Sequence, residues 1–111
     1  MLQAKEIYEN ALALNPKSNP DKPYKESYVV DMINQVLEQS QRYNQRIRTL
    51  KRKDEQPGVP YIKGIHNEID FEIEFYAPLS YGLAALIAED LGDTRLGLLY
   101  QKQFMTLLTM F

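Results

Sequence analysis

The chain has 111 residues, 44% hydrophobic and 25% charged, with 13 basic and 15 acidic side chains and a formal net charge of −2. That length makes a single domain, 1–111, burying roughly 60–70% of the surface its unfolded chain exposes, enough for a core without staples. With no cysteine, disulfides and thiolate metal sites are excluded, and the near balance of charge excludes a strong overall pull toward nucleic acid or anionic lipid.

The opening Met1-Leu-Gln-Ala-Lys-Glu-Ile-Tyr lacks the continuous apolar stretch of a secretory signal, so the default expectation is a soluble intracellular protein. No internal repeat or low-complexity tract interrupts the chain. Over residues 2–14, Ala4, Ile7, Tyr8, Ala11 and Leu12 recur at helical spacing and predict a short amphipathic first helix. Asn15-Pro16 ends it, because the residue before a proline is pushed out of the α region. Lys17-Ser-Asn-Pro-Asp-Lys-Pro23 then reads as a loop, with Asp21 as the next N-cap and Pro23 in the first turn.

The second helix is expected over about Tyr24 to Arg46. Val29, Met32, Ile33, Val36, Leu37, Ser40 and Tyr43 form one stripe, and Asp31, Gln35, Glu38, Arg42 and Gln45 lie opposite it. Asp54-Glu-Gln-Pro-Gly-Val-Pro60 is a turn by composition. Its flanks, Arg46-Ile-Arg-Thr-Leu50 and Val59-Pro-Tyr-Ile-Lys63, can pair as a small β-hairpin with Pro60 on an edge. Glu68-Ile-Asp-Phe-Glu-Ile-Glu-Phe75 alternates as a strand does. Asp70 can equally cap a helical turn in which Phe71 and Phe75 face the same way, and that approach to Pro78 is slightly preferred.

The stretch Leu79–Leu91 reads as the central helix. Leu79, Leu83, Leu86, Ile87 and Leu91 share a broad face, while Tyr81, Gly82, Ala84, Ala85 and Ala88 occupy the other side. A helix apolar nearly all round belongs inside a core or an assembly. Its longest run free of polar groups, Leu83–Ala88, is too short to span a bilayer, so no membrane role is expected. Gly92 supplies a left-handed stop, and Asp93 or Thr94 caps the last helix, from about Arg95 onward. There Leu96, Leu99, Tyr100, Phe104, Leu107, Leu108, Met110 and Phe111 cover half the circumference, with Leu98 and Met105 on the back. Phe104–Phe111 holds no charged side chain, and a segment this apolar is expected to dock. Leu98, Phe104, Met105, Leu108, Met110 and Phe111 are therefore the expected subunit or partner interface. The expected fold is mainly α: a compact bundle of about four helices, with a small β-hairpin allowed between the second helix and the central one.

Chemistry is sparse. His66 stands near Glu68, Asp70 and Glu72, a set with oxygen ligands for a hard metal, but nothing fixes the geometry an ion needs; a solvated acidic face is preferred and no metal or cofactor is expected. Ser18, Ser27, Ser40 and Ser80 have no local base or elbow pattern, so no catalytic residue is assigned and an enzyme is not expected. Arg42, Arg46, Arg48, Lys51, Arg52 and Lys53 form the main electrostatic signal. The run reads first as a solvated helix end and second as a phosphate contact with Tyr43 and Tyr61 beside it. The second reading defines the alternative function, a small nucleic-acid-binding or regulatory helical domain.

Several segments then carry a resemblance: Ala4-Lys-Glu-Ile-Tyr-Glu-Asn-Ala-Leu-Ala-Leu14, Asp31-Met-Ile-Asn-Gln-Val-Leu-Glu38, Asn67-Glu-Ile-Asp-Phe-Glu72 and Tyr81-Gly-Leu-Ala-Ala-Leu-Ile-Ala-Glu-Asp-Leu-Gly-Asp93, leading into a Tyr100-containing helix. Together they resemble the small head-to-tail connector, or adaptor, proteins of tailed bacteriophages and prophages. The resemblance implies a homo-oligomeric ring under the portal that extends the DNA channel and presents a platform to the tail. It implies portal and tail proteins as partners, non-specific DNA contact at most, and a place in the virion after assembly in the bacterial cytoplasm. The family has no catalytic motif, so no catalytic residue carries over.

Overall fold

The 25-residue helix α2 (Glu26–Leu50) is the longest element; at 1.5 Å per residue it spans about 37 Å, most of the molecule's 43 Å long axis. A computed structural model describes residues 1–18 and 23–111. Around α2 stand β1 (Leu2–Gln3), α1 (Ala4–Ala13), β2 (Glu68–Ile69), a 3₁₀ turn (Ile73–Phe75), α3 (Tyr76–Asp90) and α4 (Thr94–Thr109). Among the described residues the fold is mainly α, with the four helices the periodicity predicts and one small antiparallel sheet.

α2 begins later than expected and runs one turn further. Lys25 occupies its N-cap position without a side-chain cap bond, and the Asp21 cap lies outside the described residues. The helix continues past Arg46 because Ile47 extends the buried stripe from Tyr43 and no glycine or proline intervenes. It stops at a left-handed Arg52 (φ 57°), where the Arg52 N–H donates to Thr49 O (3.0 Å) and the Lys53 N–H to Arg48 O (2.9 Å). This double closure satisfies helix-end carbonyls, but it puts a β-carbon where glycine is the usual occupant.

The sheet forms elsewhere than in the expected hairpin. Arg46–Leu50 is helical, so it cannot pair with Val59–Lys63. Instead β1 pairs antiparallel with β2, Leu2 opposite Ile69 and Gln3 opposite Glu68, and the Ala4 N–H extends the ladder to Asn67 O (3.1 Å). A pair this short needs a hydrophobic face to persist, and Leu2 and Ile69 supply it inside the core. The acidic–apolar segment resolves into both readings: Glu68–Ile69 is strand, and Ile73–Phe75 turns helically into α3. Phe71 and Phe75 do face the same way, meeting edge to face at 5.5 Å. Asp70 does not cap the turn; Glu72 holds that position, with no side-chain cap bond.

α3 lies at the centre, and α1, α2 and α4 all pack on it. Leu79, Leu83, Ala84, Ala85, Ile87 and Ala88 are all buried, so its small-residue side is consumed by the chain's own helices. Gly82 shows why that side is small: a β-carbon there would lie 2.7 Å from Val36 Cγ1 and 3.0 Å from the Phe104 ring. α3 ends in the same double closure as α2, with Gly92 at φ 78°, the Gly92 N–H on Glu89 O (3.0 Å) and the Asp93 N–H on Ala88 O (2.8 Å). Asp93 then caps α4 by accepting the Leu96 N–H (3.2 Å). Asn15, buried between α1 and α3, donates to Ala11 O (2.9 Å) and Ala84 O (3.2 Å), and the Tyr100 hydroxyl donates to Leu14 O. The first residue ties the end of α1 to the central helix, and the second ties α4 to the end of α1.

Candidate functional site

The six cations of the basic run do not form one surface. Tyr43 is buried, and Arg42 and Arg46 sit over its ring at 4.8 and 5.2 Å from the centroid. Arg42 also donates to the Tyr43 hydroxyl (2.8 Å). The second group closes on a carboxylate. Glu72 is only 6% exposed, and it receives Lys53 Nζ at 2.6 Å, Lys51 Nζ at 3.2 Å and Arg48 Nη1 at 3.6 Å. Lys51 bridges on to Glu74 at 2.7 Å, and Arg48 donates twice to Asp54 O. The hydrogen bond from Lys53, with further help from Lys51, holds the Glu72 carboxyl below the ordinary carboxylate range against the opposing effect of its burial. The hydrogen bond to Glu74 likewise raises Lys51.

Arg48, Lys51 and Lys53 thus clamp the loop to the start of the 3₁₀ turn. Tyr61, expected beside the run, donates its hydroxyl to Glu38 (2.8 Å). Arg52 remains exposed on its left-handed turn. A phosphate contact needs cations free to neutralise it, and half of this set is already committed to carboxylates.

The polar side of α2 does work that its composition concealed. Gln45 donates to Gln56 O (3.0 Å) and accepts the Gln56 N–H (3.2 Å), while the Gln56 side chain accepts from Gln41 (3.0 Å) and Asn44 (3.1 Å). Asn44 accepts the Glu72 N–H (3.0 Å), and Asn34 exchanges two bonds with the backbone of Ile62. Neutral amides therefore lace the 51–67 segment onto the helix. The cluster of Asn34, Gln41, Asn44 and Gln45 was the available signal, since amides both donate to and accept from a backbone.

The expected interface residues divide. Phe104 and Leu108 are fully buried in the chain's own core, and Phe111 stacks on Phe75 at 4.7 Å. These three are occupied within one chain, because α4 turns the side carrying Phe104 and Leu108 onto α3. Leu98 (65% exposed), Met105 (39%) and Met110 (75%) stay outside, joined by Leu99 (59%), which the helical stripe had assigned inward. Leu96, Leu98 and Leu99 line a groove of about 580 Å³ with Asp93, Arg95 and Lys102.

His66 is exposed, and among the described residues no group of three or more metal-ligating side chains converges. Ser40 and Ser80 give their hydroxyls to the helical carbonyls of Val36 and Tyr76, each at 2.8 Å. No helix among the described residues is long and apolar enough to cross a membrane. The outer side of α4 is the best candidate for an interaction surface. No protein-family model, no curated protein and no solved structure matches the chain.

Proposed function

We propose that this protein is a structural assembly subunit, a phage or prophage head-to-tail adaptor that forms a ring on the portal and extends the DNA channel. One observation carries the reading: Leu98, Leu99, Met105 and Met110 stand exposed together along the outer side of α4 and the turn that ends it. A contiguous apolar face marks a partner where scattered leucines do not. The resemblance of the segments from Ala4 to Asp93 to adaptor proteins supplies the identity of that partner, a portal and neighbouring copies. The function works by shape and packing and assigns no chemistry to any side chain.

The nucleic-acid reading has less support, because Arg48, Lys51 and Lys53 are paired with Glu72. Light scattering and native mass spectrometry of the protein mixed with the portal from its own locus test the proposal. The expected result is a ring-sized complex that Leu98→Ser with Leu99→Ser abolishes while leaving the monomer folded. Neither ring nor portal binding by the unaltered protein would reject it.

A further inference from the structure

The outer face of α4 has a charge as well as an apolar character. Thr94–Thr109 contains no acidic residue, and Arg95 and Lys102, seven positions apart, bracket Leu98 and Leu99. Asp93 at the end of the groove is engaged, accepting the Leu96 N–H at 3.2 Å and lying 3.7 Å from Lys17. The face is therefore an apolar strip with a basic rim.

A second groove has the opposite character. Between α2 and the end of α3, Tyr28, Met32, Gln35, Leu86, Glu89 and Asp90 line a depression of about 310 Å³ with two carboxylates and, among the described residues, no cation. The adjoining hollow adds Asp31, together with Lys25. Among the described residues Glu89 and Asp90 have no ion-pair partner, and Asp90 accepts the Tyr28 hydroxyl (2.9 Å). One chain cannot close the two grooves on each other. Glu89 packs against Gly97, and successive residues of a helix point about 100° apart, so Leu98 is turned away from the acidic groove.

We propose that the basic-rimmed face of α4 in one copy docks into the acidic groove between α2 and α3 of a second copy. The proposal rests on the assembly reading above and names the surfaces it would use. A two-fold contact of α4 on α4 would set Arg95 and Lys102 against their own copies, and like charges across an interface disfavour that arrangement. Joining two different faces is a heterologous contact, which repeats from copy to copy and closes into a ring or runs on as a filament. A lipid surface would answer the cations of α4 but leaves the acidic groove unused.

The test is a charge swap followed by sedimentation velocity at concentrations up to about 1 mM. The unaltered chain is expected to self-associate. R95E/K102E and E89K/D90K, each checked for helix content by circular dichroism, are expected to stay monomeric alone and to associate when mixed. Should either reversal unfold the chain, R95Q/K102Q is expected to weaken association by about tenfold. A monomeric unaltered chain, association untouched by either reversal, or a mixture that stays monomeric overturns the inference. So does binding to phosphatidylserine vesicles that R95E/K102E abolishes and E89K/D90K leaves intact. Portal binding by an unaltered chain that does not self-associate leaves the adaptor reading standing and removes only this contact. Self-association by the swap rule without portal binding does the reverse.

Discussion

At the scale of single residues, Glu72 has the largest electrostatic part. Its carboxylate collects Lys53, Lys51 and Arg48, and its backbone N–H reaches Asn44. Because its folded pKa is lowered, its contribution is fully present above the unfolded carboxyl value, about 4.3, and is lost as pH falls through the lowered folded value. Glu72→Gln is expected to cost about 1.5–3 kcal/mol at pH 7, the range for hydrogen bonds to a charged group. Urea titrations of both proteins should converge as the pH is taken from 6 toward 3. Two left-handed positions make a second, paired prediction. At Gly92 (φ 78°) a β-carbon would meet nothing within 4 Å, so Gly92→Ala is expected to lose about 1 kcal/mol from backbone strain alone. Arg52 (φ 57°) bears that strain already, and Arg52→Gly should recover up to about 1 kcal/mol. Thermal unfolding of the two variants measures both, and shifts of the same sign would contradict the assignment.

At the scale of elements, the approach of α2 and α4 to α3 depends on one missing methyl group. A β-carbon at Gly82 would meet Val36 Cγ1 at 2.7 Å and the Phe104 ring at 3.0 Å. Alanine is the better helix former by about 1 kcal/mol, yet overpacking a close-packed core costs about 1–3 kcal/mol. Gly82→Ala is therefore expected to destabilise on balance, as a lower denaturant midpoint. A gain in stability would mean that the helices have room to move apart. The 51–67 segment shows a different dependence between elements, with Gln41, Gln45 and Asn34 of α2 replacing the backbone partners that a hairpin would have provided.

At the scale of the whole molecule, α4 separates stability from association. Phe104→Ala removes a fully buried ring and is expected to cost about 3–5 kcal/mol. Leu98→Ser, on the exposed side of the same helix, should stay within about 0.5 kcal/mol of the unaltered chain. Denaturant unfolding of the two variants compares the inner and outer faces directly. If Leu98→Ser proved as damaging as Phe104→Ala, the outer face would belong to the fold and the assembly proposal would lose its basis.

Local chemistry alone determined much of this protein. Helical periodicity marked α1, the buried stripe of α2 and the apolar α3, while Gly92 and Asp93 announced the α3–α4 turn. These features depend on near neighbours, and near neighbours are legible in a string of letters. Tertiary structure decided what depends on distant partners: β1 against β2, Gln56 against α2, and three cations around Glu72. It also decided which apolar residues of α4 are spent inside the chain. A helix with apolar residues over half its circumference and Leu98 and Met105 on the back can face its own core through more than one side, and only the position of α3 selects Phe104 and Leu108 for burial and leaves Leu98 and Leu99 outside.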